Sequence, residues 1–319
     1  MSLIKVFDPT TIVERPYNSY ASAISHNGKH YVTGSPEVIR VYSTNNLLSK
    51  HDSNTNFVTV DHLSLGIPRH LEFSNDDSLL AICTLNCATK IFLTLDDDPR
   101  RWRILHVLYT SCQATAISFT PDGKHIAIGC SKSNSLYIFR TNDGVKCGHN
   151  VLTMDSITLI KFSPNGRYMA IGSIDMNNKH NLFDIKSSDL FSEYTNHAVD
   201  LNRKTNAPMC VVIFSSCGKY LSLFSLQGIV EIISMETMSS LSVVNIKDIS
   251  TFSSSFYSQV MFSPDGKHLA FCMYTASNTI IKMLDTRDWT FEQPLETHLG
   301  KSHPTFYKFN DSICSFLFT

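Results

Sequence analysis

The chain has 319 residues, of which 43% are hydrophobic and 17% are charged, and its formal net charge is −1. This composition excludes a disordered chain, which has few apolar residues and a high net charge, and it excludes a strongly basic nucleic-acid-binding protein. The length fits either two domains or one large all-β domain.

The N-terminal segment MSLIKVFDPTTIVER has no basic stretch followed by an apolar run, and no later run approaches the roughly 18 apolar residues of a membrane span. Nine cysteines, an odd number, are scattered without a CxxC pair or a zinc-ligand spacing. We therefore expect a protein that is not secreted, has no transmembrane segment and resides in the cytoplasm, the nucleus or both.

In chain order, the first predicted elements are two strands, Leu3 to Asp8 (LIKVFD) and Thr11 to Glu14. A hairpin then recurs along the chain: a strand ends in an aromatic or aliphatic residue, a tight turn follows, and a second, mostly apolar strand completes it. A period of about 40 to 50 residues is typical of a propeller. The last residues of the repeated first strands are Ile24, Phe73, Phe119, Phe162, Phe214, Phe262 and Phe309.

The turn chemistry is clearest in FTPDGKHIAIG, FSPNGRYMAIG and FSPDGKHLAFC, which begin at Phe119, Phe162 and Phe262. Proline presets φ, Asp or Asn bonds its own backbone, and glycine can adopt positive φ. This predicts positive φ at Gly123, Gly166, Gly218 and Gly266. The second strands carry small residues that would allow sheets to pack closely, and these are Ala81, Ala127, Ala170, Ser222 and Ala270. We interpret Cys83 and Cys272, also on second strands, as small core residues.

A third strand rich in β-branched and aromatic residues follows six of the hairpins. The predicted third strands are Val38 to Ser43, Thr89 to Leu93, Leu136 to Arg140, His180 to Asp184, Ile229 to Ser234 and Ile280 to Asp285. The seventh copy ends at Thr319 without one. Residues 1–319 are thus predicted to form one seven-bladed, all-β propeller of four-stranded antiparallel blades, in which Met1–Glu14 completes the blade begun by His303–Thr319.

The segments FTPDGKHIAIG…LYIF, FSPNGRYMAIGS…LFD and FSPDGKHLAF…MLD resemble WD40 repeats, and the resemblance extends over nearly the whole chain. It implies a seven-bladed propeller that is usually non-catalytic. The Trp-Asp pair that closes well-formed repeats is nowhere intact, and Trp102 and Trp289 lie elsewhere in the sequence. The repeats are therefore degenerate, and apolar packing must replace the polar network of the family.

In such a propeller, the loops from the fourth strand to the next first strand and from the second to the third share one face near the channel mouth. This is the usual docking face, and it predicts a non-catalytic scaffold that binds a protein partner, a peptide segment or a neighbouring subunit. Two long loops there, Ile174 to Lys179 and Asn196 to Ala207, are either binding loops or neutral insertions. The candidate partner-binding residues are Arg69, His70, Lys132, Asp175, Asn177, Lys179, His180, Arg203, Lys204, Lys301 and His303.

An alternative is a non-catalytic subunit that binds RNA or a phosphoinositide, because Arg100, Arg101 and Arg103 surround Trp102 and could contact phosphates while the indole stacks. The run from FSNDDSLLAIC to WRILHVLYTSCQATAISF is similar to the propeller subunit of a tRNA-modifying methyltransferase. We nevertheless interpret the cluster mainly as an exposed outer strand. Steep salt dependence would distinguish phosphate contacts from an apolar peptide groove.

No GxSxG, HExxH or P-loop motif occurs, so we predict no enzyme, no cofactor and no metal site. The acidic triplet Asp96-Asp97-Asp98 lacks the alternation of calcium loops, and we interpret it as a solvated turn. A second alternative, a propeller hydrolase or lactonase, would require carboxylates or a metal converging in the channel.

Overall fold

In a computed structural model, the structure describes residues 21–35, 38–43, 57–61, 67–130, 135–151, 157, 159–172, 181–184, 198–199, 201–205, 209–225, 228–245, 259–263, 266–274, 279–290, 295–297, 305–309 and 312–316. Within these ranges the fold is all-β, with six four-stranded sheets and one two-stranded sheet. A single 3₁₀ turn, Pro99–Arg101, is the helical element described there. No helix in these ranges has the length and apolar character that crossing a membrane requires.

Each four-stranded sheet is built from four strands that follow one another along the chain. The first three sheets comprise β1 Ala21–Ile24, β2 His30–Gly34, β3 Ile39–Ser43 and β4 Phe57–Asp61; β5 Pro68–Phe73, β6 Leu79–Thr84, β7 Ala88–Leu93 and β8 Arg103–Tyr109; and β9 Ala114–Phe119, β10 His125–Cys130, β11 Ser135–Arg140 and β12 Lys146–Val151. The next three comprise β13 Leu159–Phe162, β14 Tyr168–Gly172, β15 Asn181–Asp184 and β16 Ala198–Val199; β17 Met209–Phe214, β18 Tyr220–Ser225, β19 Ile229–Ser234 and β20 Ser239–Asn245; and β21 Gln259–Phe262, β22 His268–Tyr274, β23 Thr279–Asp285 and β24 Leu295–Thr297. The hairpin of β25 Thr305–Phe309 and β26 Ser312–Phe316 forms the last sheet.

The repeat predicted from the sequence is confirmed at the level of individual strands. All seven predicted end residues, from Ile24 to Phe309, are the last residues of the first strands of their sheets. The six predicted third strands agree with β3, β7, β11, β15, β19 and β23 to within one residue at each end. The predicted strands within Met1–Glu14 lie outside the described residues.

In each four-stranded sheet, a serine or threonine begins the turn between the first and second strands and holds it closed through its hydroxyl. In the third sheet, Thr120 Oγ1 accepts a hydrogen bond from the His125 N–H at 3.0 Å and donates one to Asp122 Oδ1 at 2.6 Å. The hydroxyl accepts in the same way, at 2.8 to 3.0 Å, at Ser25, Ser74, Ser163, Ser215 and Ser263. The predicted positive φ values are confirmed, at 68° for Gly123, 70° for Gly166, 71° for Gly218 and 69° for Gly266.

Asp77 occupies the turn position that glycine holds in the other five four-stranded sheets, with φ of 57°. This left-handed conformation costs a non-glycine residue roughly 1–2 kcal/mol. The Asp77 carboxylate accepts hydrogen bonds from the His26 N–H at 2.6 Å and the Asn27 N–H at 2.7 Å, in the corresponding turn of the first sheet. Burial raises the pKa of Asp77, but these bonds outweigh it and hold the pKa below its ordinary value. The carboxylate therefore joins two hairpins and offsets the backbone strain.

The chain divides into two compact units. The first comprises Met1–Ile160, Ser188–Tyr194 and His303–Thr319, and the second comprises Lys161–Ser187 and Thr195–Ser302. Within each unit, consecutive sheets pack face to face around buried aliphatic side chains, each of which contributes roughly 1.5–3 kcal/mol by its burial. Core residues between the second and third sheets include Ile91, Leu108, Ile117, Ile126 and Ile128. Those between the fifth and sixth sheets are Phe224, Val230, Ile232, Phe262, Leu269 and Leu284.

Small residues on the second strands let neighbouring segments approach closely. As predicted, Ala81, Ala127, Ala170, Ser222 and Ala270 are all buried. Gly129 allows the closest approach, because a Cβ placed there would lie 2.3 Å from Ile157 Cγ2. Gly34, at the same position in the first sheet, would place a Cβ 2.8 Å from Pro68 Cγ.

Candidate functional site

Every four-stranded sheet has two ends, which we name by the connections that they carry. We call one of them the connector end. There the first strand begins, the second strand connects to the third, and the fourth strand connects to the next sheet. In the second sheet the connector end comprises residues 67–70, 84–88 and 109–110. The hairpin end carries the turns between the first and second strands and between the third and fourth, which are residues 73–79 and 93–103 of the second sheet.

Two predicted partner-binding residues, Arg69 and His70, lie side by side at the connector end of the second sheet. Both side chains are exposed, although β5 is a first strand that contacts the first strands of the neighbouring sheets, β1 and β9. The Arg69 guanidinium makes no hydrogen bond or ion pair with the residues that the structure describes. A charged side chain without an internal partner is thus held at the edge of a packed region.

The predicted pair Arg203 and Lys204 lies against a buried carboxylate. Glu231, in the middle of β19, is 0% exposed. Its carboxylate accepts hydrogen bonds from the Lys204 N–H at 2.6 Å, the Thr205 hydroxyl at 2.7 Å and Arg203 Nε at 3.2 Å. Burial raises the pKa of Glu231, but the bonds from Thr205, Lys204 and Arg203 outweigh it and hold the pKa below its ordinary value.

This contact gives Arg203 a partner inside the protein, and partner binding by Arg203 and Lys204 stays a prediction. The Arg203 side chain is 19% exposed and neutralises Glu231, so it has a structural role inside the protein. Lys204 is exposed, and its ammonium group donates to the Leu241 carbonyl at 3.4 Å. Lys204 is therefore the exposed member of the predicted pair.

A second connector is held in the same way. Tyr137 is the third residue of β11, as Glu231 is the third residue of β19. Its hydroxyl shares a hydrogen bond of 2.6 Å with Ser111 Oγ, in the connector that enters the third sheet. We call this position, the third residue of the third strand, the connector anchor. The sequence signal for this position is a polar residue within an apolar strand, as in SLYIFR and IVEIIS.

The acidic triplet lies in the turn between β7 and β8, as predicted, and its carboxylates are used within the protein. Asp96 pairs with Arg101 at 3.2 Å, and Asp97 pairs with Lys29 of the first sheet at 2.9 Å. Asp98 caps the 3₁₀ turn that follows it. These ion pairs join exposed side chains and contribute little to stability, since surface pairs are typically worth less than about 1 kcal/mol.

The arginine cluster is exposed, but its tryptophan is not. Arg100, Arg101 and Arg103 are exposed, whereas Trp102 is 6% exposed and its Nε1 donates to the Asp96 carbonyl at 2.8 Å. The expectation of an exposed outer strand is thus wrong for Trp102, and the indole cannot stack on a base from its position in the core. Phosphate binding by the three arginines stays a prediction.

Both tryptophans pack against the preceding sheet in their own unit. Trp102 meets His30 edge to face at 5.2 Å, and Trp289 meets Tyr220 in the same arrangement at 5.0 Å. His30 and Tyr220 are each the first residue of a second strand. Burial lowers the pKa of His30, which favours a neutral ring beside the indole. The two tryptophans therefore act as apolar contacts between adjacent sheets.

Cys83 is confirmed as a core residue, because it is 0% exposed and burial raises the pKa of its thiol to about 12. In the part of the chain that the structure describes, no group of three or more His, Cys, Asp or Glu side chains is arranged to hold a metal ion. The remaining predicted partner-binding residues lie outside the described ranges, and these are Lys132, Asp175, Asn177, Lys179, His180, Lys301 and His303.

No protein-family model matches the chain, and a search of curated proteins finds no match either. The case for a function therefore rests on the residues described above.

Proposed function

We propose that the protein is a non-catalytic scaffold that binds a protein partner through the connector ends of its sheets, as a subunit of a larger complex. The exposed Arg69 guanidinium in the first unit carries this proposal. At the hairpin end, Lys29 pairs with Asp97 and Arg140 pairs with Asp143. Arg69, at the connector end, has no such partner among the described residues. An acidic group on the partner would provide one.

In this proposal, the six sheets and the C-terminal hairpin are the blades of one WD-type propeller, and residues 3–14 complete the seventh blade. The sheets of four consecutive strands support it, as do the contacts between first strands within each unit, β1 with β5, β5 with β9 and β17 with β21. First strands that lie side by side are what a ring of blades requires.

Rigid presentation is the mechanism. The connectors that Tyr137 and Glu231 hold are fixed before a partner arrives, so binding orders few additional side chains and loops. Each flexible side chain that binding does not have to immobilise saves about 0.5–1.5 kcal/mol of association free energy. A fixed docking surface is therefore suited to stable assembly with a partner.

The test is affinity capture with the full chain at low and at high salt, comparing wild type with a variant carrying Arg69→Ala and His70→Ala. Lys124→Ala at the hairpin end is the matched control, because Lys124 is exposed and lies 3.9 Å from Asp122. We expect one stoichiometric protein to be retained at high salt by wild type and control, and to be lost from the double variant. Retention by the double variant, or capture of salt-labile RNA alone, would contradict the proposal.

A further inference from the structure

Three cysteines lie near one another at the connector end between the second and third sheets. Cys87 is in the turn between β6 and β7, Cys112 is in the connector from β8 to β9, and Cys130 is the last residue of β10. Thr110 joins two of these segments, because its N–H donates to the Cys87 carbonyl at 3.0 Å and its hydroxyl donates to the Cys112 carbonyl at 2.7 Å. The thiols are therefore held on fixed backbone.

Cys112 and Cys130 form the close pair. Cys130 Sγ lies 3.6 Å from the Cys112 carbonyl oxygen. Both side chains pack against the apolar core of the second and third sheets. Cys130 is 0% exposed, whereas Cys112 is half-buried, so the two thiols differ in their access to solvent.

This difference assigns the two thiols different chemical roles. Burial raises the pKa of Cys130, and the adjacent Cys112 thiol raises it further, so Cys130 remains protonated. A protonated, buried thiol reacts slowly with solutes, because the thiolate is the nucleophile. Cys112 is partly exposed to solvent, and the Cys130 thiol lies against its backbone. This is the arrangement of a peroxide-reactive cysteine with a resolving partner.

We propose that Cys112 and Cys130 are an oxidation site at which a peroxide forms a reversible disulfide. The Cys112 thiolate attacks one peroxide oxygen, the S–O bond forms as the O–O bond breaks, and hydroxide leaves and takes up a proton. Cys130 sulfur then attacks the sulfur of the Cys112 sulfenic acid, forming the S–S bond, and hydroxide leaves with the Cys130 proton as water. Two thiols lose two electrons in total, and one hydrogen peroxide becomes two waters.

The disulfide would join the connector entering the third sheet to the second strand of that sheet, across 18 residues. It would fix the same connector that Tyr137 holds through Ser111. Thiol reductants of a reducing compartment would reverse it by thiol–disulfide exchange.

The experiment maps disulfides in the full chain after treatment with one equivalent of hydrogen peroxide, alkylation of free thiols and digestion without reductant. Trypsin cleaves after Arg103, Lys124 and Lys132, so Cys112 and Cys130 fall on different peptides. We expect a peptide pair linked through these two residues, which disappears after reduction. Cys147→Ser is the matched control, because Cys147 is another half-buried thiol and its Sγ lies 3.4 Å from the Ile138 carbonyl.

The link should form in wild type and in the control, and it should be lost in Cys112→Ser, in which Cys130 should remain a free thiol. A link between Cys112 and Cys87 would overturn the assignment of the partner. Oxidation of Cys112 to the sulfinic acid with Cys130 still reduced would overturn the disulfide itself. The wild-type map decides the proposal even if a variant does not fold, and its outcome is independent of partner capture.

Discussion

Replacing Arg203 with methionine removes the positive charge that faces the buried Glu231 carboxylate, while it keeps most of the side-chain volume. The carboxylate retains its hydrogen bonds from the Lys204 N–H and the Thr205 hydroxyl. It loses the Nε donor at 3.2 Å and its counter-charge. Water cannot replace the lost hydrogen bond, because Glu231 is 0% exposed.

Removing one partner of a buried ion pair costs about 3–5 kcal/mol. Two hydrogen-bond donors to Glu231 remain, so we expect a loss at the lower end, about 3 kcal/mol of the free energy of unfolding. The entropy of unfolding is roughly 2.1 cal/mol/K per residue, so in a chain of 319 residues a loss of about 3 kcal/mol should lower Tm by about 4–5 °C. Lys204→Met is the control. Because Lys204 is exposed, this change should alter the free energy of unfolding by no more than about 0.5 kcal/mol.

The measurement is thermal unfolding followed by circular dichroism between pH 3 and pH 8. The pKa of Glu231 is depressed in the folded protein, so its stabilising contribution is present above the ordinary glutamate pKa of about 4.3 and is lost as the pH falls through the folded value. The difference between wild type and Arg203→Met should thus be largest above about pH 5 and should shrink below it. Equal Tm values at pH 7, or a difference independent of pH, would refute the role of the ion pair.

Three further changes test other parts of the fold. Gly129→Ala places a Cβ 2.3 Å from Ile157 Cγ2 and should cost about 1–3 kcal/mol by overpacking, measured by denaturant unfolding. At Gly123, where a Cβ would meet nothing closer than 3.9 Å, alanine should cost roughly 1–2 kcal/mol through positive φ alone. A loss below about 0.5 kcal/mol at Gly129, as at an ordinary surface site, would contradict a rigid contact with Ile157. Deleting Met1–Glu14 should abolish cooperative unfolding if these residues complete the seventh blade, and an unchanged melting curve would exclude terminal closure.

The strands could be predicted from the sequence because their signals are local. The hairpin repeat and the β-branched third strands located Phe119 and Ile229–Ser234 without any knowledge of their neighbours. The turn residues were also predicted, since proline, aspartate and glycine follow one another at Pro121, Asp122 and Gly123. Short-range chemistry of this kind depends on a few consecutive residues.

The roles of individual side chains depended on partners far away in the sequence. Arg203 pairs with Glu231, 28 residues later, and nothing near either residue specifies the other. Trp102 was expected on an exposed strand because arginines flank it. Its burial depends on His30 and Phe73, which belong to other strands. Pattern alone therefore predicted the framework but not which of its charged and aromatic residues are available to a partner.

The connector anchors define which segment of the sequence would have to be copied or exchanged together during repeat duplication or recombination. Tyr137 and Glu231 belong to the sheets that their connectors enter, so each connector is adapted to the sheet after it. An exchangeable segment built on the third sheet would then run from Thr110 to Val151, with the cut after the fourth strand of the preceding sheet. A cut just before the first strand would separate Ser111 from Tyr137 and leave the transplanted sheet with an anchor but no connector to hold.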